Sequence, residues 1–115
     1  MTGLLRRSML RRVSSLILPP GARAERRSDA RGVPDHDPGI ERAVDESIAW
    51  LCRAQDSSAS ADGGVARHYS LIAGWGPSYP ETTGYIVPTL LAYARERNDP
   101  ALGERARRML DWLVS

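Results

Sequence analysis

The residues best suited to chemistry crowd into one stretch, QDSSASADGGVARHYSLIAGWGPSYPETT, running from Gln55 to Thr83. Trp75, Tyr79 and, just past its end, Tyr85 offer flat apolar faces with polar edges, the kind of surface on which a sugar ring stacks. Arg67 and His68 supply hydrogen-bond donors and Glu81 a carboxylate, a mixture suited to a polyhydroxylated ligand. Arg67, His68, Trp75, Tyr79 and Tyr85 are therefore the candidate substrate-binding residues, and Glu81 is the candidate catalytic residue. Glu81 follows Tyr79-Pro80, where proline stiffens the approach, and precedes Thr82-Thr83-Gly84, where the pattern predicts that a helix begins. A carboxylate at such a junction is held better than one in an open loop, and the helix dipole favours its charge. The plainer alternative is that Glu81 and Thr83 only cap that helix.

Other chemistries find no support in the residue types. His68 has no second His or Cys at metal-ligand spacing, and His36 is the only other histidine, so no metal site is expected. Gly63-Gly64 reads as a turn rather than a phosphate-binding loop. No Ser/His/Asp set follows from spacing, and no cofactor is implied. Cys52 is the only cysteine and falls on an apolar helix stripe, the place of a small buried hydrophobe rather than a reactive thiol.

Charge divides the chain. Residues 1–31 carry eight Arg against Glu25 and Asp29, a net +6, whereas residues 32–115 carry eight Arg against twelve acids, a net −4. All sixteen basic residues are Arg, which a GC-rich coding bias explains as readily as a function does. The acidic part has no nucleic-acid footprint, and no nucleic-acid partner is expected. Residues 1–35 read as a basic arm and linker. Leu5, Met9, Val13, Leu16 and Ile17 recur at near-helical spacing with Arg6, Arg7, Arg11 and Arg12 among them. A helix there would be basic and amphipathic and would make weak contact with an anionic membrane surface; simple disorder and a signal peptide are the other readings. Pro19-Pro20-Gly21 is expected to stop any helix, and residues 21–39 show no hydrophobic period. No apolar run approaches the length of a transmembrane helix, so the expected location is the cytoplasm, peripheral to the inner membrane.

The elements that must position the candidate residues lie in residues 36–115, which read as all-α. DPGIERAVDESIAWLC (37–52) aligns without a gap on DPALGERARRMLDWLV (99–114), an offset of 62 residues. Each copy opens with Asp as N-cap and Pro at the first helical position, and each carries a terminal Trp-Leu. The apolar positions also pair: Ile40 with Leu102, Val44 with Ala106, Ile48 with Leu110, Cys52 with Val114. This spacing predicts an internal helical repeat whose two copies present equivalent faces to a middle helix. The middle helix is expected over 84–97, with Val87, Leu90, Leu91 and Ala94 in its core stripe and Asn98 near its end. Gly84, Pro88 and Ala92 would form a low-relief line for close approach of a neighbour, with a kink at Pro88. The expected helices are thus 38–54, 84–97 and 99–114, about one and a half helical hairpins, and the chain is expected to be a truncated piece of something larger.

With these residues in view, the run from Ala49 to Leu113 resembles bacterial α/α-toroid proteins of exopolysaccharide gene clusters, a group similar to squalene cyclases and six-hairpin glycosidases. The likeness is most specific from Trp75-Gly76-Pro77 through Tyr79-Pro80-Glu81-Thr82-Thr83-Gly84-Tyr85 to Pro88-Thr89. Gln55 followed by Asp62-Gly63-Gly64 also resembles the glutamine-to-glycine turn of prenyltransferase and squalene-cyclase repeats, with Val65 in place of the usual Trp. The resemblance implies a ring of about six helical hairpins around a cavity, a carbohydrate ligand, and an expected role in carbohydrate metabolism or polysaccharide biosynthesis. The remainder of the toroid would lie outside this chain. The acid motif of cyclases is missing, and no second carboxylate partners Glu81 for glycoside hydrolysis. A non-catalytic helical-repeat scaffold for a protein partner is the rival reading. The two differ in one expectation: a cavity protein points Glu81, Tyr85 and Thr89 inward, and a scaffold leaves them solvated.

Overall fold

The computed structural model describes residues 17–115 and divides the chain into two units, Met1–His36 and Asp37–Ser115. The amphipathic pattern at the amino terminus falls, up to residue 16, outside the described residues. In the first unit the expectation of an irregular linker is corrected, because Pro20–Arg31 is a helix (α1). Pro20 sits at its first position, where a missing N–H leaves no intrahelical bond unmade. The Pro-Pro-Gly run thus starts a helix, and the helical conformation of Ile17 stops just ahead of it, at Leu18.

The second unit is mostly helical, in the order α2 (Ile40–Asp56), β1 (Tyr69–Ser70), β2 (Gly74–Trp75), α3 (Pro80–Glu96) and α4 (Pro100–Leu113). The α4 start agrees with the sequence pattern. Asp99 is the N-cap, its carboxylate accepting from Ala101 N–H (3.0 Å) and Leu102 N–H (3.4 Å), and Pro100 takes the first helical position. Asn98 adopts a left-handed φ of 51°, a conformation Asn tolerates better than most residues, and so turns the chain from α3 into α4. The α2 start differs from its repeat partner. Asp37 accepts a hydrogen bond from Gly39 N–H (2.8 Å), the helix begins only at Ile40, and Gly39 (φ 85°) occupies the cap position. A glycine in that conformation holds the chain out of the helix for one further residue.

α3 and α4 pack against each other extensively. The core comprises Ala54, Val65, Val87, Leu90, Leu102, Ala106 and Met109, with Ile48, Cys52, Trp75, Leu91 and Ala94 packed partly buried around it. The predicted α3 stripe is therefore the observed one, and Cys52 is a partly buried packing residue. The expected equivalence of the repeat copies fails. Leu102 is buried, while its counterpart Ile40 is 78% exposed; Val114 is exposed, while Cys52 packs on the core. α4 buries positions 102, 106 and 109, whereas α2 joins the core through its carboxy-terminal half only. Matching apolar letters do not fix which face is used when the neighbours differ. The amino-terminal half of α2 is linked to the end of α3 by ion pairs from Arg97 to Glu41 and Asp45, and the Arg97 guanidinium lies over the Tyr93 ring. Such exposed pairs add little stability.

α3 begins at Pro80, four residues ahead of expectation, and continues through Pro88. Thr83, fully buried, is what ties this early start to the loop. Its hydroxyl donates to the Tyr79 carbonyl (2.8 Å) and accepts from Val65 N–H (3.0 Å). Thr83→Val keeps the shape but strands the Val65 N–H, so it is expected to cost about 1–3 kcal/mol in urea unfolding. A change smaller than that would show that the Val65 N–H finds another acceptor. Gly84, Pro88 and Ala92, the expected line of close approach, are exposed, and a Cβ at Gly84 would meet nothing within 4 Å.

Candidate functional site

The segment 57–79 is a built structure. Val65 and Ala66 enter the interior, and Ala66 N–H donates to the Ala54 carbonyl at the end of α2 (3.0 Å). From there the chain forms an antiparallel ribbon. Ala66 bridges Ser78, Arg67 N–H donates to Pro77 O, Gly76 N–H donates to His68 O, and Tyr69 and Ser70 pair with Trp75 and Gly74. Its tip, 71–73, is held by the Ser70 hydroxyl, which accepts from the N–H groups of Ile72 and Ala73. The all-α expectation gave this segment no strand. Its alternation was masked by Gly and Pro, and two-residue strands are too short to show a period.

Buried Gln55 anchors the near end. Its amide nitrogen donates to the carbonyls of Gly63 (2.9 Å) and Arg105 (3.2 Å), and its oxygen accepts from the Arg105 guanidinium (3.1 Å). Arg105 also makes a two-point pair with Asp56 at 2.7 and 2.8 Å. A second line of bonds runs from the Ser58 hydroxyl to the Ser78 hydroxyl (2.7 Å) and from Ser78 to Asp62 (2.6 Å), which also accepts from Gly64 N–H. Because the Ser78 proton goes to a carboxylate, Ser58 must be the donor to Ser78.

These contacts lower two carboxyl pKa values. For Asp56 the hydrogen bond from Arg105 dominates, against partial desolvation. For Asp62 desolvation is the largest single influence and pushes upward, but hydrogen bonds from Ser78, Gly64 and Trp112 together outweigh it. A lowered folded-state pKa stabilises the fold above the unfolded value and loses that stabilisation as pH falls through the folded one. The urea midpoint is therefore expected to hold from neutrality to about pH 5 and to fall below about pH 3.9. A midpoint that rises on acidification would contradict this.

The candidate residues now have places. Trp75 is partly buried on the ribbon, with the Tyr69 ring edge-on to it at 5.1 Å and the Trp50 ring tilted against it at 5.3 Å. Trp50 and Tyr69 are nearly half exposed, so the three rings form an open aromatic group on the surface. Arg67 stacks over the Tyr79 ring at 4.7 Å. The exposed His68 lies so close to Gly76 that a Cβ there would come within 2.8 Å of the imidazole. Glu81 is exposed in the first turn of α3, where the N-cap, Tyr79, makes no side-chain capping bond. Tyr85 is 77% exposed, and Thr89 is exposed. The structure thus brings Trp75 together with Tyr69 and Trp50, and Arg67 with Tyr79. No hydrogen bond or ring contact among the described residues joins Glu81 or Tyr85 to either group.

Sequence reasoning missed Trp50 and Tyr69. The signal for Trp50 was available: two positions beyond Ile48 it lies well off the helix stripe, so its large ring needs a partner elsewhere. A cleft of about 560 Å³ was missed as well; its lining includes Gln55, Asp56, Asp62, Arg108, Asp111 and Trp112 but none of the candidate residues. Among the described residues no group of three or more His, Cys, Asp or Glu is placed to hold a metal, and no helix is long and apolar enough to cross a membrane. No protein-family model, curated protein or solved structure matches the chain.

Proposed function

We propose that residues 37–115 belong to a carbohydrate-active or glycan-biosynthesis-associated protein of the α/α-toroid kind, built from helical hairpins, with the 67–85 segment contributing to its ligand cavity. The observation that carries the ligand class is the open aromatic group of Trp50, Tyr69 and Trp75. Ring faces left in water by a folded ribbon suit the apolar face of a pyranose. Arg67 and His68, both exposed on the same ribbon, supply donors for hydroxyl or carboxylate groups. The tie from Gln55 to Gly63 gives the glutamine-to-glycine resemblance a physical role, since the side chain fastens the end of a helix to the turn that follows it. Glu81 is the carboxylate nearest in sequence to this ribbon, two residues beyond Tyr79.

One observation favours the second reading, a scaffold that binds a protein partner: Glu81, Tyr85 and Thr89 all stand in solvent. Two substitutions separate the readings. Tyr69→Ala, at an exposed ring, is expected to weaken binding of neutral oligosaccharides at least about tenfold, roughly 1.4 kcal/mol, with little change in Tm. Glu81→Gln is expected to do the same if Glu81 reaches the ligand. Binding that survives Glu81→Gln while stability falls makes Glu81 a structural residue. Binding that survives Tyr69→Ala removes the aromatic group from the site and with it this proposal.

A further inference from the structure

Helix α1 carries a charge pattern that the carbohydrate reading neither uses nor needs. Arg23, Arg27 and Arg31 recur every fourth residue along Pro20–Arg31. At 3.6 residues per turn they fall within an arc of about 80°, as a row about 12 Å long. Glu25 and Asp29 lie roughly opposite, and Ala22 is buried. The row is accessible: Arg23 is half-buried, and Arg27 and Arg31 are exposed. None of the three side chains makes an ion pair among the described residues.

We infer that this arginine row of α1 binds the anionic phosphate headgroups of a lipid bilayer. Guanidinium groups suit phosphate because their planar fork donates two hydrogen bonds at once. A nucleic-acid backbone offers the same phosphate chemistry, but the sequence just ahead favours a bilayer. Leu5, Met9, Val13, Leu16 and Ile17 alternate with four further Arg. Apolar residues in that company gain free energy among acyl chains and none along a phosphate backbone. Ile17, the last of them, is 77% exposed. The row thus continues the basic composition of the amino-terminal segment into a helix whose composition resembled a linker.

The test uses the whole chain and co-sedimentation with phosphatidylcholine vesicles, with and without phosphatidylserine. Binding is expected only with phosphatidylserine and should weaken as salt is raised. The triple variant Arg23→Gln, Arg27→Gln, Arg31→Gln keeps helix propensity and is expected to lower partitioning at least about tenfold. The corresponding triple Lys variant keeps the charge and should still bind. A separate variant with Arg6, Arg7, Arg11 and Arg12 changed to Gln shows what the preceding segment contributes. Wild-type binding by the α1 Gln variant overturns the inference, as does equal binding to vesicles lacking phosphatidylserine. So does a DNA duplex that strips the chain from the vesicles, which would identify the row as a nucleic-acid surface. None of these outcomes bears on oligosaccharide binding by residues 37–115.

Discussion

Replacing Gln55 with Leu is expected to destabilise residues 37–115 by about 2–4 kcal/mol, a large share of what a unit of this size possesses. Gln55 is buried, and both ends of its amide are in use. The nitrogen serves the carbonyls of Gly63 and Arg105, and the oxygen serves the Arg105 guanidinium. Leu fills similar space but leaves the Gly63 carbonyl without its donor and the Arg105 guanidinium without one acceptor, and stranded polar groups cost more than an ordinary hydrogen bond contributes. Arg105 keeps its pair with Asp56, so the loss falls on the join between α2, the Gly63 turn and α4. Thermal melts should show Tm lower by roughly 10 °C or more. A shift of only a degree or two would mean that the turn is held by something other than this side chain.

Gly64→Ala is the second large effect, and it comes from crowding. A Cβ at Gly64 would stand 2.7 Å from Ser78 Cβ and 2.8 Å from the Trp112 ring, separations that real Cβ atoms do not adopt. Neither neighbour can yield cheaply. Ser78 is bonded to Asp62 and Ser58, and its N–H donates to the Ser60 hydroxyl. Trp112 belongs to α4. Overpacking of this kind costs about 1–3 kcal/mol, and the displaced Ser78 would disturb the base of the ribbon as well. The same substitution at Gly84 should have the opposite sign. There a Cβ meets nothing within 4 Å in an exposed stretch of α3, so Ala is expected to stabilise by about 0.5–1 kcal/mol. Urea titrations of the two variants check both signs together; destabilisation at Gly84 or neutrality at Gly64 would contradict the packing described.

How much was legible in the sequence depended on whether the signal was local. Asp99-Pro100 starts α4 as a cap and first helical residue should, Asn98 ends the preceding turn, and Val87, Leu90, Leu91 and Ala94 face the core as their spacing implies. Each rests on interactions within a few residues. Proline misled in two places because it marks a boundary without saying which side is helical. Pro20 and Pro80 each open a helix, where the sequence pattern predicts a linker after the first and a helix start four residues beyond the second. The repeat misled differently. Its letters match, but Ile40 and Leu102 meet different neighbours, and burial is decided by the neighbours. Within the candidate site, residue type singled out an aromatic, donor-rich loop but not its conformation. The ribbon that assembles it depends on contacts from Ala54, Thr83 and Gly76 to residues eight to eighteen positions away, which no short-range pattern displays. Trp50 joins the group from another element altogether.

The central claim is that the rings of Trp50, Tyr69 and Trp75 form a ligand surface on a ribbon that is already ordered. Backbone and indole N–H NMR spectra of the whole chain, titrated with a panel of neutral oligosaccharides, test it most directly. Saturable shifts are expected at the indole N–H of Trp50 and Trp75 and at the backbone of 67–76, while the signals of the buried core residues Leu90 and Met109 stay in place. Shifts that leave both indoles unmoved and gather instead on Glu81, Tyr85 and Thr89, or no saturable shift with any oligosaccharide, would contradict it.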